Sequence, residues 1–292
     1  MFSKINLCTS VLPQFSFADA VEIAIESGYR GIELRVKQEF HQSLDDLERS
    51  GPGLRARLEK RGLRIPVLNS YLPIEDARSV RRLMECGRRM DVPLVRLVLP
   101  RSASSAVAAL SREKEIIPSY DAKLPAAELF PAVRSTLCEL EGEARRAGIR
   151  ILVELHWGTM MSSFTAADQL LAGLDPACIG ITFDPANMVV EGREDWEFGI
   201  ERNQNWIANV HVKNAAWTRF AAGWRWHWTP LQEGMVDWRE LIALLEGVGY
   251  TGDYAIEDFL APRQDKRLAI EYLARLRREF ESLLRGKVAV AA

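Results

Sequence analysis

Four short apolar runs in the second half of the chain end in residues that could do chemistry. V-E-L-H supplies Glu154 and His156, T-F-D-P-A-N supplies Asp184 and Asn187, V-H-V-K-N supplies His211 and Lys213, and A-I-E-D supplies Glu257 and Asp258. Ionisable groups rarely sit in buried strands without a partner. Three carboxylates and one imidazole brought together would hold one divalent metal through Glu154, Asp184, His211 and Glu257. Oxygen-rich ligation with a single nitrogen suits Mn²⁺ or Mg²⁺ first, and Co²⁺ or Zn²⁺ after them. The cation would also offset three crowded negative charges. Any one of these acids could instead cap a helix or pair with an arginine. Four such residues on four consecutive strand ends weigh against that for the set.

Further polar residues are candidates for binding substrate. His156 follows Glu154 by two and points the same way along a strand, as Lys213 does after His211. Asn187 belongs to the D-P-A-N turn. Glu33 and Arg35 end an earlier strand, Asn69 ends the next, and Arg96 lies in the one after; pairing of Glu33 with an arginine is the structural alternative. The segment W-T-R-F-A-A-G-W-R-W-H-W carries Trp217, Trp224, Trp226 and Trp228. Its alternating aromatic residues would form a wall or lid over sugar C–H faces, with a subunit interface as the rival reading. Trp224, Arg219 and, in the turn Q-E-G, Glu233 are expected at the pocket.

The elements that must position these residues alternate along the whole chain. Strands are expected at Lys4–Cys8, Gly31–Val36, Leu63–Asn69, Leu94–Leu99, Arg150–Leu155, Ile179–Phe183, Ile207–Val212 and Asp253–Asp258. Helices are expected at Phe17–Ser27, Leu54–Arg61, Asp76–Met90, Ala126–Ala147, Thr165–Leu174, Asp195–Gln204, Asp237–Val248 and, long and charged, over about 263–285. The connection from Pro100 to Lys123 has no assignable element, and a tryptophan-rich loop follows Val212. Short, continuously apolar strands fit a parallel sheet buried on both faces. Eight βα units in 292 residues favour an α/β fold of the single-domain (β/α)₈ TIM barrel type spanning 1–292, whose active site lies at the C-terminal ends of the strands. No dinucleotide or P-loop glycine pattern is present.

Composition agrees: 48% of residues are hydrophobic and 27% charged, with a net charge of -2. That gives no basic surplus for nucleic acid, and no run long enough for a membrane span. The opening MFSKINLCTSVLPQFSF reads as a strand and turn rather than a leader. The four cysteines, Cys8, Cys86, Cys138 and Cys178, are far apart and read as buried, reduced thiols. A soluble cytoplasmic protein acting on a small sugar-like molecule is expected, without nucleic acid or membrane partners; a homodimer or homotetramer stays open.

The order E-L-H, F-D-P-A-N, H-V-K-N, Q-E-G-M-V-D-W and I-E-D, with the opening N-L-C-T-S and G-Y-R-G-I-E-L-R, resembles the xylose-isomerase-like barrels, a family of sugar phosphate isomerases and epimerases. The resemblance spans nearly the whole chain. It implies that Glu154, Asp184, His211 and Glu257 bind one metal. It also implies, from the ketose epimerase branch, that Glu154 and Glu257 face each other across the substrate as acid and base. Two departures stand out: D-P-A-N places Asn187 where that branch usually has His, and Asn214 stands where many members have Asp.

The chemistry expected is proton removal next to a carbonyl through a metal-stabilised enediolate. The leading expectation is an isomerase or epimerase of a ketose, sugar acid or related polyol. The alternative is a lyase or dehydratase on a keto-sugar, keto-inositol or 3-keto-glycoside using the same site. A DNA-repair endonuclease needs many histidines, and this chain has four. A two-metal aldose isomerase lacks its second ligand set. A sugar-binding barrel without catalysis would not need all four metal positions.

Overall fold

The computed structural model describes residues 4–38, 40–101, 120–121 and 124–286. Eight parallel strands close into a barrel: β1 (Ile5–Cys8), β2 (Ile32–Val36), β3 (Val67–Pro73), β4 (Leu94–Val98), β7 (Arg150–Glu154), β8 (Ile179–Phe183), β9 (Ile207–Val212) and β12 (Asp253–Ile256). β1 pairs with both β2 and β12, which removes every free edge. Two short strands, β5 (Pro100–Arg101) and β6 (Tyr120–Asp121), pair in parallel at the two ends of the connection after β4; most of that connection lies outside the described residues.

Nine helices are seen among the described residues: α1 (Phe17–Glu26), α2 (Leu44–Lys60), α3 (Ala77–Arg89), α4 (Ala126–Ala147), α5 (Phe164–Leu171), α6 (Pro185–Glu191), α7 (Trp196–Asn203), α8 (Trp238–Gly247) and α9 (Lys266–Arg285). Ser16, Asp76, Ser163, Asp195, Asp237 and Asp265 each cap one by accepting a backbone N–H, which fixes where the chain leaves a loop and starts to coil. The main apolar core lies between barrel and helices. No helix among the described residues is long and apolar enough to cross a membrane.

Several boundaries differ from the sequence reading. α2 begins ten residues earlier than Leu54, because Ser43 and Asp46 form a reciprocal capping box, and Pro52 is carried inside the helix. β3 runs from Val67 to Pro73, later than the expected Leu63–Asn69, which brings Tyr71 to the mouth. α5 stops at Leu171. The expected tryptophan loop is an antiparallel hairpin, β10 (Asn214–Phe220) with β11 (Gly223–Thr229). Alternating Trp residues suit a strand face, and the turn at Ala221–Ala222 offered no strong hairpin signal. Cys8, Cys86 and Cys178 are buried and unpaired as expected, whereas Cys138 is exposed on α4.

Strand periodicity explains how the barrel supplies a polar mouth. Along β7, Leu152 and Glu154 share one face; along β9, Asn209 and His211 do; along β2, Glu33 and Arg35 do. Leu152 packs with Val67 and Ala208 in a small apolar cluster separate from the main core. Two residues further on, the same face turns polar.

Candidate metal centre

Glu154 ends β7, Asp184 and Glu257 follow β8 and β12 directly, and His211 lies in β9. One ligand atom from each falls within 4.8 Å of all the others, and all four residues are buried. Asp184 does two jobs. Its Oδ1 accepts from Asn187 N at 3.0 Å as the N-cap of α6, with Pro185 in the first turn. Its Oδ2 lies 3.5 Å from His211 Nδ1. The D-P-A-N sequence thus folds locally into a helix start that aims one carboxylate oxygen at the cluster.

His211 is held from behind. Its Nε2 is 2.9 Å from Glu33 Oε1, and Glu33 also accepts from Asn69 at 2.6 Å and from Asn209 at 2.8 Å. Its Nδ1 lies 3.2 Å from Glu257 Oε2 and 3.3 Å from Glu154 Oε1, yet is a buried nitrogen without a directed hydrogen bond. Burial works against charge on this imidazole, but Glu257, Glu33 and Glu154 together raise its pKa well above the ordinary value. The acids demand positive charge at this point, and a divalent cation facing Nδ1 satisfies that demand as a proton would. The orphaned nitrogen, the three carboxylates and the short mutual distances fit one such ion.

The glutamates are strongly anchored. Glu154 pairs with Arg96 and accepts from Asn187 Nδ2 at 3.1 Å. Glu257 accepts from Ser10 Oγ at 2.8 Å and from Lys213 Nζ at 2.6 Å, and Lys213 also reaches Asp184 at 2.5 Å. Burial alone would raise both glutamate pKa values, yet Arg96 with His211 holds Glu154 low and Lys213 with His211 holds Glu257 low. Burial would likewise discharge Lys213, but Asp184 and Glu257 keep it an ammonium ion. Cys8 Sγ stands 3.5 Å from Glu257 Oε1, and burial keeps the thiol protonated.

If Glu33 fixes the imidazole so that Nδ1 faces the ion, Glu33→Gln should weaken divalent-metal affinity by about 10- to 100-fold. Titration of the apoprotein against a metallochromic chelator measures this. Unchanged affinity would mean that His211 is oriented by something else.

A pocket opens over the cluster, lined by Ser10, Pro13, Arg35, Phe40, Tyr71, Arg96, Glu154, His156, Lys213, Trp228, Glu257, Phe259 and Arg263. Of the residues expected from sequence, Glu154, Glu257, His156, Lys213, Arg35, Arg96 and Trp228 line it, and Asp184, His211, Asn187, Glu33 and Asn69 are buried without lining it. Arg219, Trp224 and Glu233, expected at the pocket, do not reach it. Arg219 and Trp224 face each other across the hairpin near its tip and are exposed, Trp224 at 56%. Glu233 is also exposed, on the turn after the hairpin. That turn is clamped by Asn214, whose side chain bonds Leu231 O, Val236 O and Val236 N. A Cβ on Gly234 would lie 2.0 Å from Asn214 Oδ1, so the close approach needs glycine. Asn214 is therefore a turn clamp, and Glu233 is carried outward by that turn.

The aromatic wall is made of other residues. Trp157, Trp226, Trp228 and Phe259 form a row with successive ring centroids 4.9, 5.0 and 5.6 Å apart. Only its outer members, Trp228 and Phe259, line the pocket. Ser10, Phe40 and Tyr71 were missed in sequence because none lies in a periodic apolar run: Ser10 is in a 3₁₀ turn after β1, Phe40 in the loop after β2, and Tyr71 in the overhanging end of β3.

His156 is fixed by its neighbour: its Nδ1 is 2.7 Å from the Trp157 carbonyl, which can only accept, so Nδ1 carries the hydrogen and Nε2 the lone pair. Burial, the largest influence, lowers its pKa and keeps the ring neutral.

Comparison with known proteins agrees with this architecture. The chain is 22% identical to the 3-dehydroshikimate dehydratase of Bacillus anthracis over 82% of its own length and 85% of that protein. The IolI protein with a bound zinc atom superposes with a TM-score of 0.67 at 15% identity, covering 97% of this chain and 98% of the other. A D-tagatose 3-epimerase-like protein superposes with a TM-score of 0.68 at 19% identity, covering 98% and 100%. The model of the xylose isomerase-like TIM barrel matches residues 21–279. The chain belongs to that family, whose members among its relatives are enzymes.

Proposed function

We propose that the enzyme removes a proton from the carbon next to the carbonyl of a polyhydroxy ketone and expels water from the neighbouring carbon. The observation that carries this reading is His156: a neutral imidazole with its tautomer set by Trp157, Nε2 free of any described partner, and a place in the pocket wall beside Glu154. A divalent ion held by Glu154, Asp184, His211 and Glu257, with Mn²⁺ or Mg²⁺ suiting the donor set best, would polarise the carbonyl and stabilise the charge that develops on its oxygen. His156 Nε2 takes the proton as the carbon–hydrogen electrons form the enolate. The enolate then reforms the carbonyl and breaks the neighbouring carbon–oxygen bond. His156 returns its proton to the departing hydroxyl, so one molecule of water leaves and the enzyme is unchanged.

Glu154 and Glu257 are anchored as ions by Arg96, Asn187, Ser10 and Lys213, which suits ligation and makes each a poor proton donor. The likeness to a dehydratase over most of both chains also supports elimination. Epimerisation or isomerisation is the second reading, because both glutamates line the pocket and could act from two sides of a substrate. Incubation of the Mn²⁺-loaded enzyme with keto-sugars and keto-inositols in D₂O separates the two by NMR. The expected product is lighter by one water. A product of unchanged formula carrying deuterium on carbon would replace elimination with isomerisation.

A further inference from the structure

The cations around the pocket are not equivalent. Arg96 is paired with Glu154, Lys213 with Asp184 and Glu257, and Arg263 is exposed at the rim. Arg35 is only 6% exposed and pairs with no carboxylate among the described residues. Its Nε is buried without an acceptor, and Nη1 reaches only the Ser10 carbonyl, at 3.4 Å. A buried charge in this state is costly. The rings of Phe40 and Tyr71 lie 3.7 and 4.4 Å from the guanidinium carbon and offset part of that cost through their faces. They offer nothing to the in-plane N–H groups.

Tyr71 adds a neutral donor, since burial, the main cause, pushes its phenol up to about 12. A single planar guanidinium held between two rings matches a planar carboxylate, which it can meet with two parallel N–H bonds. A phosphate ester carries about two charges at neutral pH and meets one unpaired buried cation among the described residues of the pocket.

We propose that Arg35 is the receptor for a carboxylate on the substrate, so that the ketone this enzyme accepts is an acid rather than a neutral sugar or a phosphate ester. This rests on the reading of the pocket as the substrate site. Three probes differ only at carbon 6: D-fructose, D-fructose 6-phosphate and D-fructuronate, in which that carbon is a carboxylate. Calorimetric titration of the Mg²⁺-loaded protein is expected to show D-fructuronate binding about ten- to a hundredfold tighter than D-fructose, the range of a charge-assisted hydrogen bond, and tighter than the phosphate. The ratio should collapse towards one in Arg35→Met and be partly kept in Arg35→Lys, with thermal melting reporting that each variant is folded. Should Arg35→Met not fold, the wild-type ratio and Arg35→Gln carry the test. Equal binding of D-fructuronate and D-fructose by the wild type, binding of neither, tighter binding of the phosphate, or an unchanged ratio in a folded Arg35→Met or Arg35→Gln each overturns the assignment. The readout is affinity and not turnover. A carboxylate preference without product leaves the receptor standing and removes the proposed reaction; product from a neutral ketone without that preference does the reverse.

Discussion

His156→Ala is expected to lower kcat by about 10²- to 10⁴-fold, the range for loss of a general acid–base group, while the affinity for Mn²⁺ stays as it was. The imidazole touches none of the four cluster residues through a hydrogen bond; its Nδ1 is spent on the Trp157 carbonyl. The proposed proton transfer therefore rests on Nε2. His156→Gln keeps a polar group in place without a comparable base and should show nearly the same loss. A rise in KM with kcat preserved would instead make His156 a contact for a substrate hydroxyl, the role the sequence alone favours, and would return proton transfer to Glu154 or Glu257. Single-turnover measurements in H₂O and D₂O, with the metal content of each variant determined directly, tell these apart.

The second large effect is on stability. Arg96 is 2% exposed, forms the ion pair with Glu154, and donates to Asn69 Oδ1 at 2.6 Å. Arg96→Met keeps much of the side chain's bulk and leaves Glu154 a buried carboxylate without its main counter-charge. Removing one partner of such a pair costs about 3–5 kcal/mol, which for a chain of this size lowers Tm by roughly ten degrees. The loss should be largest in metal-free protein and smaller with Mn²⁺ present, because the ion supplies positive charge to the same carboxylate and binding to the native state adds to its stability. Thermal melts with chelator and with Mn²⁺ check both parts. A melting temperature unchanged by Arg96→Met in chelator would show that Glu154 does not depend on Arg96. A drop that Mn²⁺ does not reduce would separate Glu154 from the ion.

The two results bear on one network. Arg96 holds Glu154, Lys213 holds Asp184 and Glu257, and Glu33 holds His211, so each member of the cluster has a partner behind it as well as neighbours in front. Outer partners of this kind set the geometry that an ion or a substrate meets.

The fold was legible in the sequence because its signal is periodic. Eight apolar runs too short for helices, separated by amphipathic segments, leave little choice but a parallel sheet covered by helices. The same period fixed the parity of Glu154 with His156 and of His211 with Lys213, so these side chains were readable as pointing one way. Their convergence followed from closure of the barrel. Helix starts were less legible: α2 gains a turn and more from a capping box whose Ser43 and Asp46 precede the amphipathic stretch, and α6 hides inside the D-P-A-N turn that was read only for its side chains.

Tertiary structure alone decided which neighbours each group has. Nothing local tells that Glu33, from the second strand, backs His211, from the seventh strand of the barrel, or that Asn214 closes a turn and carries Glu233 away from the mouth. The tryptophan hairpin shows the limit most clearly. Alternation placed Trp224, Trp226 and Trp228 on one side of a strand, but how far the hairpin extends past the barrel determines which of them meets the pocket: Trp228 lines it, Trp226 is packed behind, and Trp224 stands in solvent. Arg35 belongs to the same class. Its type and place on a strand end were plain from the sequence; that it is buried between two rings and pairs with no carboxylate among the described residues is a property of side chains brought together from β2, β3 and the loop after β2, and only the folded chain contains it.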